Sequence, residues 1–190
     1  ILNLPTSMNF LNIQILQYDD SDLFISRSGY TGEDGFEISI SNNKAEKLIS
    51  DILNNNNNVI LCGLGSRDSL RVEAGLSLYG NEINENINPV QAGLSWALDK
   101  NRLQDNNLNG SEILSQELSA ISSVKKIGLS PINKIMLRNQ MTIHNNNKEE
   151  IGFVTSGCYS PILKKSIGIG YMNKLSNISE HYKNNMLKWN

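Results

Sequence analysis

Gly29, Gly32 and Gly35 recur every three residues and lead directly into an alternating segment, which constrains the local fold of residues 26–40 more than any other stretch. Glycines this dense let the backbone take positive φ and pass close to another group. From Phe36 onward the pattern is strictly two-fold: Phe36, Ile38 and Ile40 face one way, Glu37 and Ser39 the other. That is the signature of a half-buried strand. A carboxylate, Glu37, is therefore expected on rigid backbone beside a glycine-shaped loop. A tight hairpin with a solvated acid accounts for the same residues, as does a site where a polar ligand lies against the strand.

The flanking segments give an organisation. Residues 12–17 and 23–26 read as strands joined by a turn at Asp19, Asp20 and Asp22. Residues 44–53 read as a helix, with Ala45, Leu48, Ile49, Ile52 and Leu53 on one stripe. Residues 59–61 read as a short buried strand. Ser66 is placed to cap a helix reaching Ala74, with Asp68 in its first turn and Gly75 at its C-terminal stop. Pro89 starts a short helical segment before an expected strand at 94–98, with Trp96 in the core. Residues 105–123 are polar and loosely helical, and the domain boundary is expected there. Beyond it, residues 126–129, 134–137, 140–144, 151–155 and 166–172 read as short strands split by turns, a small antiparallel barrel or sandwich.

Several function classes are excluded on composition. The net charge of −2 gives no electrostatic footprint for nucleic acid or an anionic membrane. No apolar run approaches the roughly 20 residues that span a bilayer. Cys62 and Cys158 cannot build a disulfide framework and sit in no metal-ligand spacing, which fits a reducing compartment and no metal site. The asparagine runs at 54–58 and 145–147 suit surface loops, and the glycosylation-like triplets at Asn109 and Asn177 are discounted in so Asn-rich a chain. Gly63-Leu64-Gly65 after a strand evokes a dinucleotide turn, but Asp68 stands where the fingerprint needs a third small residue. Glu33 and Asp34 are adjacent on a turn and point apart, so they read as solvated acids rather than an acid/base pair. Thr155, Ser156 and Ser160 before Pro161 read as a turn whose hydroxyls bond the backbone. His144, beside an Asn run, and His181, in the tail, read as surface residues.

Four blocks carry a resemblance: Y-T-G-E-D-G-F-E at 30–37, G-L-G-S-R-D-S-L-R-V-E-A-G at 63–75, P-V-Q-A-G-L-S-W at 89–96, and V-T-S-G-C-Y-S-P at 154–161 followed by I-G-I-G-Y-M at 167–172. In this order and spacing the chain resembles the aminomethyltransferase (T-protein) of the glycine cleavage system, over about residues 13–172. The family is about twice as long, and its catalytic aspartate lies upstream of the first block. The resemblance therefore implies the C-terminal half, with no catalytic residue in this chain. It implies an α+β fold: a folate-binding half-domain of the aminomethyltransferase core over residues 1–115, then a small β-barrel-like domain over 119–190, incomplete at its end.

By the same resemblance Glu37 contacts the pterin ring, Tyr30 lines the pocket and Arg67 helps hold the folate. From the residues alone, Arg67 pairing locally with Asp68 or Glu73 is the alternative. Tetrahydrofolate is implied as acceptor substrate and lipoylated H-protein as partner. The implied location is the mitochondrial matrix in a eukaryote and the cytoplasm otherwise. Three alternatives stay open: a non-catalytic folate-binding module, an iron–sulfur assembly relative, whose K-G-C-Y-x-G-Q block this chain lacks, and a folate domain fused to an amine oxidase, which only the upstream sequence would test. The loop side of the half-domain is expected to expose an apolar face.

Overall fold

The computed structural model describes residues 8–119, 124–173 and 186–187. Within it the chain divides into two compact units, Ile1–Asp68 and Ser69–Asn190.

In the first unit, strands β1 (Ile13–Tyr18) and β2 (Ser21–Ser26) form a hairpin with Leu16 opposite Leu23. Its two-residue turn is Asp19-Asp20, with φ of 48° and 61°. A tight hairpin needs such positive values, and Asp tolerates them. Strand β3 (Glu37–Ser39) adds to β2, pairing Ile38 with Ile25 and Glu37 with Ser26. Helix α1 (Asn42–Asn55) then lays Leu48 and Ile52 against the sheet. Tyr18, Leu23, Ile25 and Leu48 form the core, and Leu16, Phe36 and Ile40 close it. Because strand side chains alternate, the opposite sheet face carries Ile13, Ile15, Phe24, Ser26, Glu37 and Ser39. There Ile13 is 64% exposed, Ile15 59% and Phe24 41%, an uncovered apolar face.

Helix α2 (Leu64–Glu73) ends on Gly75, whose φ is 71°. Gly75 N–H donates to the Val72 carbonyl and Leu76 N–H to that of Arg71. These two bonds form a Schellman stop, and only glycine takes its left-handed position without strain. Helices α3 (Lys100–Gln104) and α4 (Ser111–Ser119) follow, α3 capped by the Asp99 carboxylate accepting from the N–H groups of Asn101 and Arg102.

The second unit is built on a five-stranded antiparallel sheet. Its strands are β4 (Val124–Leu129), β5 (Thr142–His144), β6 (Glu150–Ser160), β7 (Lys165–Asn173) and β8 (Met186–Leu187), in the order β5-β6-β7-β4-β8. Ile167 and Ile169 pack on Val72 of α2, while Ile127, Ile151 and Met172 form a second cluster. Gly157 lies against the Leu137 carbonyl so closely that a Cβ there would sit 2.2 Å from the oxygen. No other residue fits that approach.

The α+β class and the antiparallel C-terminal sheet agree with expectation; several details do not. Residues 59–61 form no strand, and Ile60 and Leu61 are 77% and 73% exposed. An apolar triplet becomes a core strand only with a partner on the sheet, and β3 is the last strand in that order. Residues 94–98 hold a 3-10 turn, Ser95–Ala97, with Trp96 exposed rather than in the core. Residues 134–137 are not a strand. Helix α2 starts at Leu64, so Ser66 lies inside it rather than capping it, and Asp68 falls past the first turn. Residues 155–160, expected as a turn, continue strand β6 through a bulge between Val154 and Ser156. Residues 120–123, in the expected boundary, and Asn177 and His181, in the tail, lie outside the described residues.

Candidate functional site

The glycine loop between β2 and β3 is held by a fork. Arg27 Nε and Nη2 each donate to one oxygen of Asp34, both at 2.9 Å, and Arg27 Nη1 donates to the Met8 carbonyl at 2.6 Å. Bidentate geometry of this kind adds direction as well as attraction. Asp34 is thus a clamp on the loop rather than a merely solvated acid. The loop reverses the chain, so residues seven apart meet; a cation opening such a segment and an acid closing it was the available signal.

Inside the clamped loop, Tyr30 is half-buried and the Arg67 guanidinium lies over its ring, 4.7 Å from the centroid. Two expected site residues therefore come together, and Arg67 makes a cation–π contact in place of the anticipated local ion pair. Glu73, one of those anticipated partners, accepts instead from the Ser160 hydroxyl. Glu37 is exposed on the apolar sheet face, and its Oε2 accepts from Ser28 Oγ at 2.6 Å. Ser28 Oγ in turn lies 2.8 Å from Ser26 Oγ. The result is a fixed carboxylate beside exposed Phe24, Ile13 and Ile15, and an aromatic ring paired with a planar cation. Such a surface can engage a flat heterocycle through its faces and its N–H edge.

Asp34, Asp19 and Asp51 are each held below the ordinary aspartate value of 3.8, by hydrogen bonds from Arg27, Lys44 and the Tyr18 hydroxyl respectively, with partial desolvation opposing. A carboxyl with a lower pKa folded than unfolded binds fewer protons in the native state. It stabilises above its unfolded pKa, and that contribution is lost as pH falls through the folded value. Unfolding midpoints should therefore drop as pH falls below about 4, the ordinary aspartate range. Asp34→Asn should flatten that limb, and salt at about 1 M, where the Debye length is about 3 Å, should reduce the difference between variant and parent. Midpoints that stay level across this range would contradict the ion pairing.

The second unit buries a different constellation. Arg71 and Glu82 form a fully buried pair at 2.8 Å. Glu82 Oε2 also accepts from the Leu78 N–H at 2.9 Å; Oε1 accepts from Thr155 Oγ1 at 2.5 Å and Ser156 Oγ at 2.6 Å. Arg71 Nη2 donates to Ser156 Oγ at 2.8 Å, and the Tyr171 hydroxyl donates to the Glu82 carbonyl at 2.8 Å. Burial, with the Glu82 charge, pushes the Tyr171 phenol well above its usual range. Lys126 donates to Ser77 Oγ at 2.8 Å and is pulled down by burial, the Glu82 charge opposing. The Thr155 and Ser156 hydroxyls thus serve a buried acid, not a turn. An apolar cavity of about 350 Å³ in the same unit is lined by Ile127, Leu129, Leu137, Ile143 and Met172, and includes none of Tyr30, Glu37 and Arg67. Among the described residues no group of three or more His, Cys, Asp or Glu gathers as a metal site, and no helix is long and apolar enough to cross a membrane.

Residues 4–102 match the GCVT N-terminal domain and residues 125–186 the glycine cleavage T-protein C-terminal barrel domain. The chain belongs to the glycine cleavage T-protein family. A mitochondrial aminomethyltransferase of Flaveria trinervia is 42% identical over 168 residues, covering 88% of this chain and 41% of that protein. An aminomethyltransferase of Oceanobacillus iheyensis is 39% identical, covering 86% and 44%. The crystal structure of glycine cleavage system aminomethyltransferase T from Bartonella henselae superposes with a TM-score of 0.80 at 36% identity, covering 88% of this chain and 45% of that one. The chain thus spans under half the length of the T-protein relatives it matches.

Proposed function

We propose that this chain is the C-terminal half of an aminomethyltransferase that transfers a methylene unit from the aminomethyl-lipoyl arm of H-protein to tetrahydrofolate, releasing ammonia. In this reading residues 1–115 belong to the folate-binding core and residues 119–190 to the β-domain. The observation that carries it is the clamped glycine loop: Arg67 lies on the Tyr30 ring, 4.7 Å from its centroid, and Glu37 is held at 2.6 Å by Ser28. A pterin offers amino and ring N–H groups along one edge, which suits a carboxylate acceptor. Its flat faces suit the exposed Phe24 and the Tyr30 ring. Arg67 supplies positive charge for the acidic end of a folate.

The acid/base for the reaction would come from the part of the protein that precedes these residues in its relatives. The 190-residue chain alone is then expected to show no turnover of aminomethylated H-protein and tetrahydrofolate, whereas the full-length protein releases ammonia and methylene-tetrahydrofolate. Turnover by the isolated chain would overturn the half-enzyme reading. Folate binding without turnover by the full-length protein would make it a folate-binding module. In a eukaryote its place would be the mitochondrial matrix, and in a bacterium the cytoplasm.

A further inference from the structure

We infer that Ser28 is a positioning residue for Glu37, aiming the carboxylate through a directed relay that starts at Ser26. This rests on the folate reading of Glu37 given above. Ser28 Oγ donates to Glu37 Oε2 at 2.6 Å and lies 2.8 Å from Ser26 Oγ. An ionised carboxylate has no proton to give, and a hydroxyl has one. The Ser28 proton is therefore committed to Glu37, and the Ser26 proton must be the one that points to Ser28. Ser26 and Glu37 share the uncovered sheet face, being paired directly across β2 and β3, and Ser28 reaches both from the loop that follows β2.

The consequence lies in the freedom of a long exposed acid. The strand pairing fixes the Glu37 backbone, but its side chain keeps rotamer freedom that a ligand would have to remove on binding. Ser28 removes it beforehand. It occupies one oxygen and leaves Oε1 open to a donor edge, so the acceptor is aimed before the ligand arrives. The Arg27–Asp34 fork brackets Ser28 in sequence and fixes the backbone from which that hydroxyl projects.

The test is tetrahydrofolate affinity of the full-length protein by calorimetry, with melting temperature followed in parallel. Ser28→Ala is expected to weaken binding about three- to tenfold, the effect of one hydrogen bond. Ser28→Thr, which keeps the hydroxyl, should restore parental affinity, and Ser28→Ala should add nothing in a Glu37→Gln background. Ser28→Cys, with similar shape and a weak donor, carries the same comparison if the alanine variant unfolds. Parental affinity for Ser28→Ala alongside weakened Glu37→Gln would overturn the relay while leaving the folate reading in place. Equal losses from Ser28→Ala in both backgrounds, or a threonine variant that folds but does not recover, would overturn it too. Parental affinity for Glu37→Gln would remove Glu37 from the site, and both readings would fall.

Discussion

Glu82→Gln should destabilise the chain by about 3–5 kcal/mol, the range for removing one partner of a buried ion pair. The side chain is wholly buried, and so is Arg71 against it at 2.8 Å. Glutamine has nearly the same shape, so little cavity forms. What changes is that the Arg71 guanidinium keeps its charge and loses the carboxylate charge that faces it at 2.8 Å in a buried site. In addition, an amide NH₂ now faces groups that were all donating: Arg71 and the Leu78 N–H on one side, or the Thr155 and Ser156 hydroxyls on the other. For a chain of this size the loss corresponds to a fall of roughly 6–20 °C in melting temperature. Glu85→Gln, three residues on and exposed, should stay within about 0.5 kcal/mol. Removing both charges, as Arg71→Met with Glu82→Leu, should not recover stability. The Leu78 N–H and the two hydroxyls would lose their carboxylate acceptor, each charge-assisted bond being worth about 1.5–3 kcal/mol, while Thr155 would keep the Ile169 carbonyl and Ser156 the Asn81 amide. Urea unfolding of the three variants decides it. A Glu82→Gln midpoint equal to that of Glu85→Gln would show that the network contributes nothing.

That network also marks the limit of what the sequence discloses. Leu23 and Ile25 on the buried face of β2, and the Leu48–Ile52 stripe of α1, follow from local periodicity, and the structure places them in the core as the pattern requires. Thr155 and Ser156 look like turn residues because hydroxyls beside glycine and proline usually bond nearby backbone. Their partner, Glu82, is 73 and 74 residues away in sequence. It sits in N-E-I-N-E-N-I-N, where nothing local separates a core acid from a loop acid. Trp96 and residues 59–61 fail for the converse reason. Apolar character raises the expectation of burial, but burial needs a neighbour that only the topology can supply.

The site was legible to a different degree. Glycine spacing and two-residue alternation were enough to place Glu37 on rigid backbone beside an open loop, because both depend on residues close in sequence. Family resemblance, not periodicity, singled out Tyr30 and Arg67, and the 4.7 Å stack between them is a contact across 37 positions that no local pattern encodes. Nothing local marks Ser28 or Arg27 as a site residue. Each is a common polar residue whose role appears only when the loop folds back and brings Glu37 and Asp34 within reach.

Within that loop Glu37→Gln should weaken tetrahydrofolate binding far more than Glu33→Gln, although only four positions separate the two acids. Glu37 belongs to β3, its backbone is fixed against Ser26, and its carboxylate is tied to Ser28. Glu33 sits on the exposed turn, where water solvates it in either state. Glutamine keeps the shape of Glu37 but replaces one acceptor with a donor and removes the charge. A charge-assisted contact to a pterin N–H edge should then lose on the order of 1.5–3 kcal/mol, or roughly ten- to over a hundredfold in dissociation constant. Arg67→Lys should weaken binding as well, because a point charge on a flexible stem replaces neither the planar fork nor its stacking on Tyr30. Calorimetry on the full-length protein reads all three variants, with melting temperatures confirming that each remains folded. If Glu33→Gln loses as much as Glu37→Gln, the acids act through the charge of the loop as a whole, and the directed contact at Glu37 is wrong.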